Sequence, residues 1–107
     1  MIRITGRRGV LLAIQGFADR DTEALFRTGR CPARWRQVSR VAMRKLDMLN
    51  AATRLSDLGA LPGNRLEPLA GNRQGQHSIR VNDRWRVCFV WTEFGPDRVE
   101  IVDYHRG

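Results

Sequence analysis

The chain has only two cysteines and two histidines, and that scarcity removes several kinds of chemistry. Cys31 and Cys88 lie far apart and form no CxxC pair, so neither a disulfide framework nor a cysteine zinc site is indicated. His77 and His105 lack metal-ligand spacing. No metal and no cofactor is expected. Long apolar runs are missing too. The longest early one, Val10 to Ile14 behind Arg7 and Arg8, is far short of the roughly 18 residues a membrane span needs. It is also too short for a signal-peptide core, and no small-residue cleavage site follows it. A cytoplasmic location with no membrane partner is expected. Nucleophile elbow, P-loop and dinucleotide fingerprint are all absent. There are no repeats, low-complexity segments or internal linkers.

Lysine is scarcer still: Lys45 stands alone. Yet Lys and Arg together number 19 against 11 Asp and Glu, a net charge of +8. The basic residues are therefore arginines, whose planar multi-donor fork suits phosphate oxygens and stacks on bases. A nucleic acid or the ribosome is the partner this balance implies. A GC-rich genome also favours Arg over Lys. That bias explains the choice of residue better than the net excess.

The 107 residues make one domain with one core, and a hydrophobic fraction of 42% excludes global disorder. Residues 1–13 begin Arg- and Gly-rich and read as a loosely attached extension; residues 14–107 read as the domain. Leu11 to Phe17 is a candidate short strand. Asp19 and Asp21 offer N-cap chemistry, Thr22 to Arg27 a short helix, and Gly29 its C-cap. Cys31-Pro32 marks a break. A long helix is expected from Arg34 to Thr53, with Trp35, Val38, Ala42, Leu46 and Leu49 as its apolar stripe. Arg36, Arg40 and Arg44 then line another face, as an anion-binding stripe or a merely solvated one.

After the turn cluster Leu61-Pro62-Gly63-Asn64 the period changes to two. Ile79 and Val81 alternate with polar residues, and Asn82-Asp83 is a turn. Trp85, Val87, Phe89 and Trp91 alternate with Arg86, Cys88 and Val90. Phe94 to Asp97 reads as a turn centred on Gly95-Pro96, and a last strand runs through Val99 and Ile101 to Asp103. Trp85, Phe89 and Trp91 are expected in the core. Short turns make such strands antiparallel. The expected architecture is an α+β two-layer domain, two N-terminal helices on a small antiparallel sheet.

Chemistry concentrates at the C-terminus, Asp103-Tyr104-His105-Arg106, directly after a core strand. Cleaving RNA through its own 2′-hydroxyl needs a base, an acid and a cation at phosphorus. Histidine, with an unperturbed pKa of about 6.5, suits the proton transfers. Arginine supplies the charge.

Four blocks extend this pattern: Gly63-Asn64-Arg65-Leu66-Glu67-Pro68-Leu69, Gly71-Asn72-Arg73 on to Asn82, Trp85-Arg86-Val87-Cys88-Phe89, and Val99-Glu100-Ile101-Val102-Asp103-Tyr104-His105. Together they resemble the HigB/GraT-like toxins, plasmid-maintenance killer proteins of the RelE superfamily. The likeness reaches back through Arg44-Lys45-Leu46 and Asp21 to Phe26, covering about Ile14 to His105. It implies a RelE-like fold and a ribosome-dependent mRNA endonuclease working without metal in the ribosomal A site. It implies a HigA-type helix-turn-helix antitoxin as partner.

The family's terminal Asp-Tyr-His falls on Asp103, Tyr104 and His105. His105 is then the acid–base group, Tyr104 orients or stacks on RNA, and Asp103 sets the position of His105 or of an arginine. Arg73, Arg80 and Arg86 would hold the scissile phosphate. Arg86 also has a structural alternative, an ion pair with Asp103 or Glu100. Arg36, Arg40, Arg44, Arg80 and Arg84 are the RNA-binding candidates. Some relatives carry a His and a Lys before the glycine loop. Glu67 and Ala70 stand there instead, leaving Glu67 open between a base and a plain turn residue. The family's usual opening resembles Ala13 to Phe17, which leaves residues 1–13 open between an added element and an upstream start codon. The rival reading is a non-catalytic basic module that binds RNA, ribosome or antitoxin.

Overall fold

A computed structural model describes residues 12–104. The expected extension lies almost wholly outside that range, and so does His105. The chain runs through helix α1 (Arg20–Thr28), a 3-10 turn (Ala33–Trp35), helices α2 (Ser39–Ala51) and α3 (Leu55–Gly59), then strands β1 (Glu67–Pro68), β2 (His77–Arg80), β3 (Trp85–Thr92) and β4 (Gly95–Asp103). The strands form one antiparallel sheet in the order β1-β2-β3-β4. This is the α+β class expected, with three α-helices rather than two. Among the described residues no helix is long and apolar enough to cross a membrane.

Helix α1 starts and stops where its caps dictate. The Asp19 carboxylate accepts from Thr22 N at 2.6 Å, and Gly29 N–H closes the last turn onto Leu25 O. The expected helix from Arg34 does not form as one piece. Pro32 is extended, Ala33–Trp35 is a single 3-10 turn, and Val38 (φ −114°, ψ 4°) leaves the helical region before α2 begins at Ser39. The reason is Trp35. Its indole is 1% exposed and meets Trp85 edge-on, ring centroids 6.3 Å apart. Burying that ring sets the direction of residues 33–38 and overrides their helical periodicity. Ala42, Leu46 and Leu49 then face the core as expected.

On the sheet, Ile79, Val87, Phe89, Val99 and Ile101 join the helices in one core cluster with Trp85, and Trp91 packs partly buried against it. The cross-strand partners Ile79↔Val87 and Val87↔Ile101 put them on one face. His77, the partner of Phe89, stacks on that ring with centroids 6.3 Å apart and so shares the core face. Ser78↔Cys88↔Glu100 and Arg80↔Arg86↔Val102 mark the other face.

Two turns differ from expectation. Gly95-Pro96 is not the centre of a turn, because Gly95 pairs with Thr92 and Pro96 with Trp91, so β4 starts there. Residues 13–18 add no regular strand. They run parallel to β4 through Gln15 N to Pro96 O (2.8 Å), Ala18 N to Val99 O (2.9 Å) and Val99 N to Gly16 O (3.1 Å). Gly95 (φ 118°) permits this approach, since a Cβ there would strike the Ala13 carbonyl.

Candidate functional site

The helix-free face of the sheet carries a cleft of about 600 Å³, lined by Leu69 to Arg73, Cys88, Val102 and Tyr104. The sheet register supplies the floor, the loop between β1 and β2 one wall, and the chain just past β4 the other. Arg73 ends a one-turn 3-10 helix, Gly71–Arg73. Its guanidinium is fixed on two sides, to Glu100 Oε1 at 2.8 Å and to Gln76 Oε1 at 3.0 Å. A loop arginine is thereby anchored to strand β4 while its side chain stays 37% exposed.

Opposite it, Tyr104 N donates to Arg84 O, and the Tyr104 hydroxyl donates to Glu67 Oε1 at 2.9 Å. That bond is the first cause, and the Glu67 charge the second, of a phenol pKa held above its ordinary value of 10.0. Tyr104 is thus kept protonated as a donor. The Arg86 guanidinium lies 5.2 Å from the centre of the Tyr104 ring. Arg86 itself is 5% exposed, donating to Ser78 Oγ (2.7 Å), Ser78 O (3.3 Å) and Arg65 O (2.6 Å). The expected ion pair of Arg86 with Asp103 or Glu100 does not form, because Arg84 occupies Asp103 and Arg73 occupies Glu100. Its charge sits beneath the tyrosine, with Nε and one terminal nitrogen bonded to Ser78 and Arg65.

Cys88 lies in the cleft floor at 1% exposure, and burial pushes its thiol up to about 11. It is therefore no nucleophile at neutral pH. The folded thiol keeps its proton above the ordinary 9.0 while the unfolded one releases it. Stability is then fully present below 9.0 and lost as pH climbs through about 11. Denaturant unfolding of Cys88→Ala beside the parent should show a shallower alkaline loss over that range. Parallel losses would mean that Cys88 stays protonated equally in both states.

The other arginines do not form one surface. Arg40 and Arg44 are an i, i+4 pair on α2, exposed near Cys31 and Met43. Arg36 precedes the helix and lines a different pocket with Arg34 and Arg84, so the three-arginine stripe is two sites. Arg80 shares the face of Arg86 but pairs with Asp83 at 2.6 Å. Arg84 bonds Asp103 through Nε and through its terminal nitrogen, each at 3.0 Å. Asp103 thus pairs with Arg84. The cleft brings together Tyr104, Arg73 and, below, Arg86. Sequence reasoning missed Glu100 as the partner of Arg73 and Glu67 as that of Tyr104. Alternation from Val102 back to Glu100 was the available signal for the first. Nothing local links Glu67 to Tyr104.

A family model described as the RelE-like toxin HigB of type II toxin–antitoxin systems matches residues 16–105. Over 56 residues the chain is 46% identical to Toxin HigB-1 of Vibrio cholerae, a stretch covering 52% of this chain and 59% of that protein. Over 52 residues it is 40% identical to an uncharacterized protein of Haemophilus influenzae, covering 49% of this chain and 52% of that one. The chain thus spans between about half and three-fifths of the length of these curated relatives.

Proposed function

Since the chain belongs to the HigB family of RelE-like toxins of type II toxin–antitoxin systems, we propose that it is an endoribonuclease that cleaves mRNA on the ribosome. The cleft on the helix-free sheet face carries this reading: an anchored arginine faces a protonated tyrosine across space open to an RNA strand. In the reaction the 2′-oxygen bonds to the adjacent phosphorus while the bond to the 5′-oxygen breaks. The 2′-hydroxyl proton passes to a base and the departing 5′-oxygen receives one from an acid. The products are a 2′,3′-cyclic phosphate and a 5′-hydroxyl end.

His105 is the acid–base group on this proposal, following the described chain by one residue. Glu67, which already accepts a proton donor at Tyr104, is the second proton-accepting group within reach. Arg73 holds the phosphate oxygens where charge develops. Arg86 adds field from beneath the ring, and Asp103 fixes the Arg84 side of the site. Tyr104 orients a base or the ribose. Among the described residues Arg73 is the one partially exposed arginine at the cleft, a thin phosphate clamp. Substrate geometry must then come from elsewhere, and positioning can supply about 7–11 kcal/mol of a barrier. The ribosomal A site is the proposed source. A HigA-type helix-turn-helix antitoxin is the proposed neutralising partner.

Purified protein mixed with message alone, and with ribosomes programmed by that message, tests the reading by mapping new 5′ ends. Cuts on ribosomes with negligible cutting of protein-free RNA are expected. Equal cutting of both would sink the ribosome requirement. Blocked translation without new ends would favour a non-catalytic ribosome-binding module.

A further inference from the structure

A second pocket, of about 290 Å³, opens where the 3-10 segment before α2 meets the loop between β2 and β3. Arg34, Arg36 and Arg84 line it. Two of these side chains are preset. The Arg34 guanidinium lies 4.4 Å over Trp35 and the Arg84 guanidinium 4.7 Å over Trp85. The two indoles meet edge to face, so cation, ring, ring and cation form one contiguous chain of contacts. Each outer guanidinium is also braced by a carboxylate, Arg34 by Asp21 at 2.8 Å and Arg84 by Asp103 at 3.0 Å. Both remain more than half exposed. Each brace uses only part of a five-donor fork.

Arg36, exposed in the same pocket, takes no carboxylate among the described residues. Three arginines here face two braces, which leaves one net cation. Arginines this far ordered lose little further entropy on gripping an anion, and the fork geometry suits phosphate rather than a point charge.

Arg84 also joins this pocket to the cleft. Its carbonyl accepts the Tyr104 N–H, and its guanidinium holds Asp103 immediately before. By register Asp103 and Trp85 lie on the helix-bearing face while Tyr104 borders the cleft, so a strand that rounds the end of the sheet past Tyr104 would meet Arg84. We infer that Arg34, Arg36 and Arg84 form a phosphodiester-binding site for the RNA strand that occupies the cleft, outside the reacting nucleotide. This rests on the reading of the cleft as an RNA site. Arg36 supplies the net charge, while Arg34 and Arg84 supply fixed donors. The site also explains why two arginines are laid on indoles that the core would otherwise leave covered by any apolar side chain.

Binding of a short, 2′-O-methylated single-stranded RNA, followed against salt concentration, tests the site. A phosphate contact on single strands contributes about 0.7 to the slope of log affinity against log salt. Arg36→Ala should reduce the slope by about 0.7 and weaken binding several-fold. Arg30→Ala, removing an exposed arginine away from both sites, controls for bulk charge and should leave the slope unchanged. Equal slopes in Arg36→Ala and Arg30→Ala would overturn the site. A duplex RNA hairpin run in parallel identifies the source. A slope change confined to the hairpin would overturn the assignment to the cleft's own strand. Tyr104→Ala, which removes the ring that orients a base or the ribose in the cleft, separates the two readings: if it leaves binding intact while Arg36→Ala does not, the cleft reading fails and the second site stands. No salt-dependent binding by the parent would remove both.

Discussion

Arg73→Ala is expected to slow cleavage of ribosome-bound mRNA by about 10²–10³-fold, the usual effect of removing one aligned donor from a developing oxyanion. On the proposed mechanism Arg73 meets charge that grows in the transition state, so the effect should fall on kcat more than on KM. Its geometry makes this specific. The guanidinium is fixed by Glu100 and Gln76, so alanine removes a pre-aligned group. Glu100→Gln keeps a hydrogen-bond acceptor but loses the charge, and should retain most activity while broadening the response to ionic strength. Single-turnover rates on programmed ribosomes, with folding checked by circular dichroism, give the measurement. Full activity in Arg73→Ala would take Arg73 out of the reaction and leave the cleft without an exposed arginine among the described residues.

The second large effect concerns stability. Lys45, the chain's one lysine, is 7% exposed on the inner side of α2. Its ammonium donates to Asn64 Oδ1 at 2.6 Å, and the Asn64 amide donates on to Leu58 O at 3.0 Å. Burial first, then the Arg44 and Arg80 charges, lower its pKa from the ordinary 10.5. Asn64→Leu strands that ammonium and should cost about 2–4 kcal/mol, roughly 4 °C of Tm per kcal/mol in a domain this size. Adding Lys45→Met removes the charge and should recover much of the loss. The unfolded chain holds the lysine proton up to 10.5, whereas the folded chain releases it earlier. In that window rising pH favours the folded state, so the single variant's deficit should shrink on the alkaline side. Thermal melts of parent, single and double variants decide it. Equal losses in single and double variants would show that the asparagine matters for its own packing, independent of the charge.

Where local chemistry decides the structure, the sequence was readable. Asp19 and Gly29 bound α1 because caps act within one turn. The alternation from Trp85 to Trp91 made β3 evident because two-residue periodicity is local. The helix expected from Arg34 failed at Trp35, whose burial depends on Trp85, fifty residues on in the chain. Reading Arg36, Arg40 and Arg44 as one face inherited that error. Two-residue β1 carries no periodic signal at all. Within the site, Tyr104 and Arg73 were visible as residues of a recognisable pattern. Their partners Glu67 and Glu100 were not, since strand pairing and loop closure bring them together.

Both margins of the sheet are blunt, and this limits how the protein can be approached. Along β4 the backbone of residues 13–18 occupies hydrogen-bonding positions from Phe94 to Val99, and the Thr22 hydroxyl takes the Ile101 N–H. On the far side β1 is two residues long and one of them is Pro68, which has no N–H to offer. A stray extended chain finds no unpaired ladder of useful length among the described residues. Edge-to-edge polymerisation, the usual hazard of small open sheets, is therefore suppressed by the backbone itself. Association must proceed through side chains. For a surface so rich in arginine, that makes ionic strength, by screening like charges, a direct control on self-association and solubility.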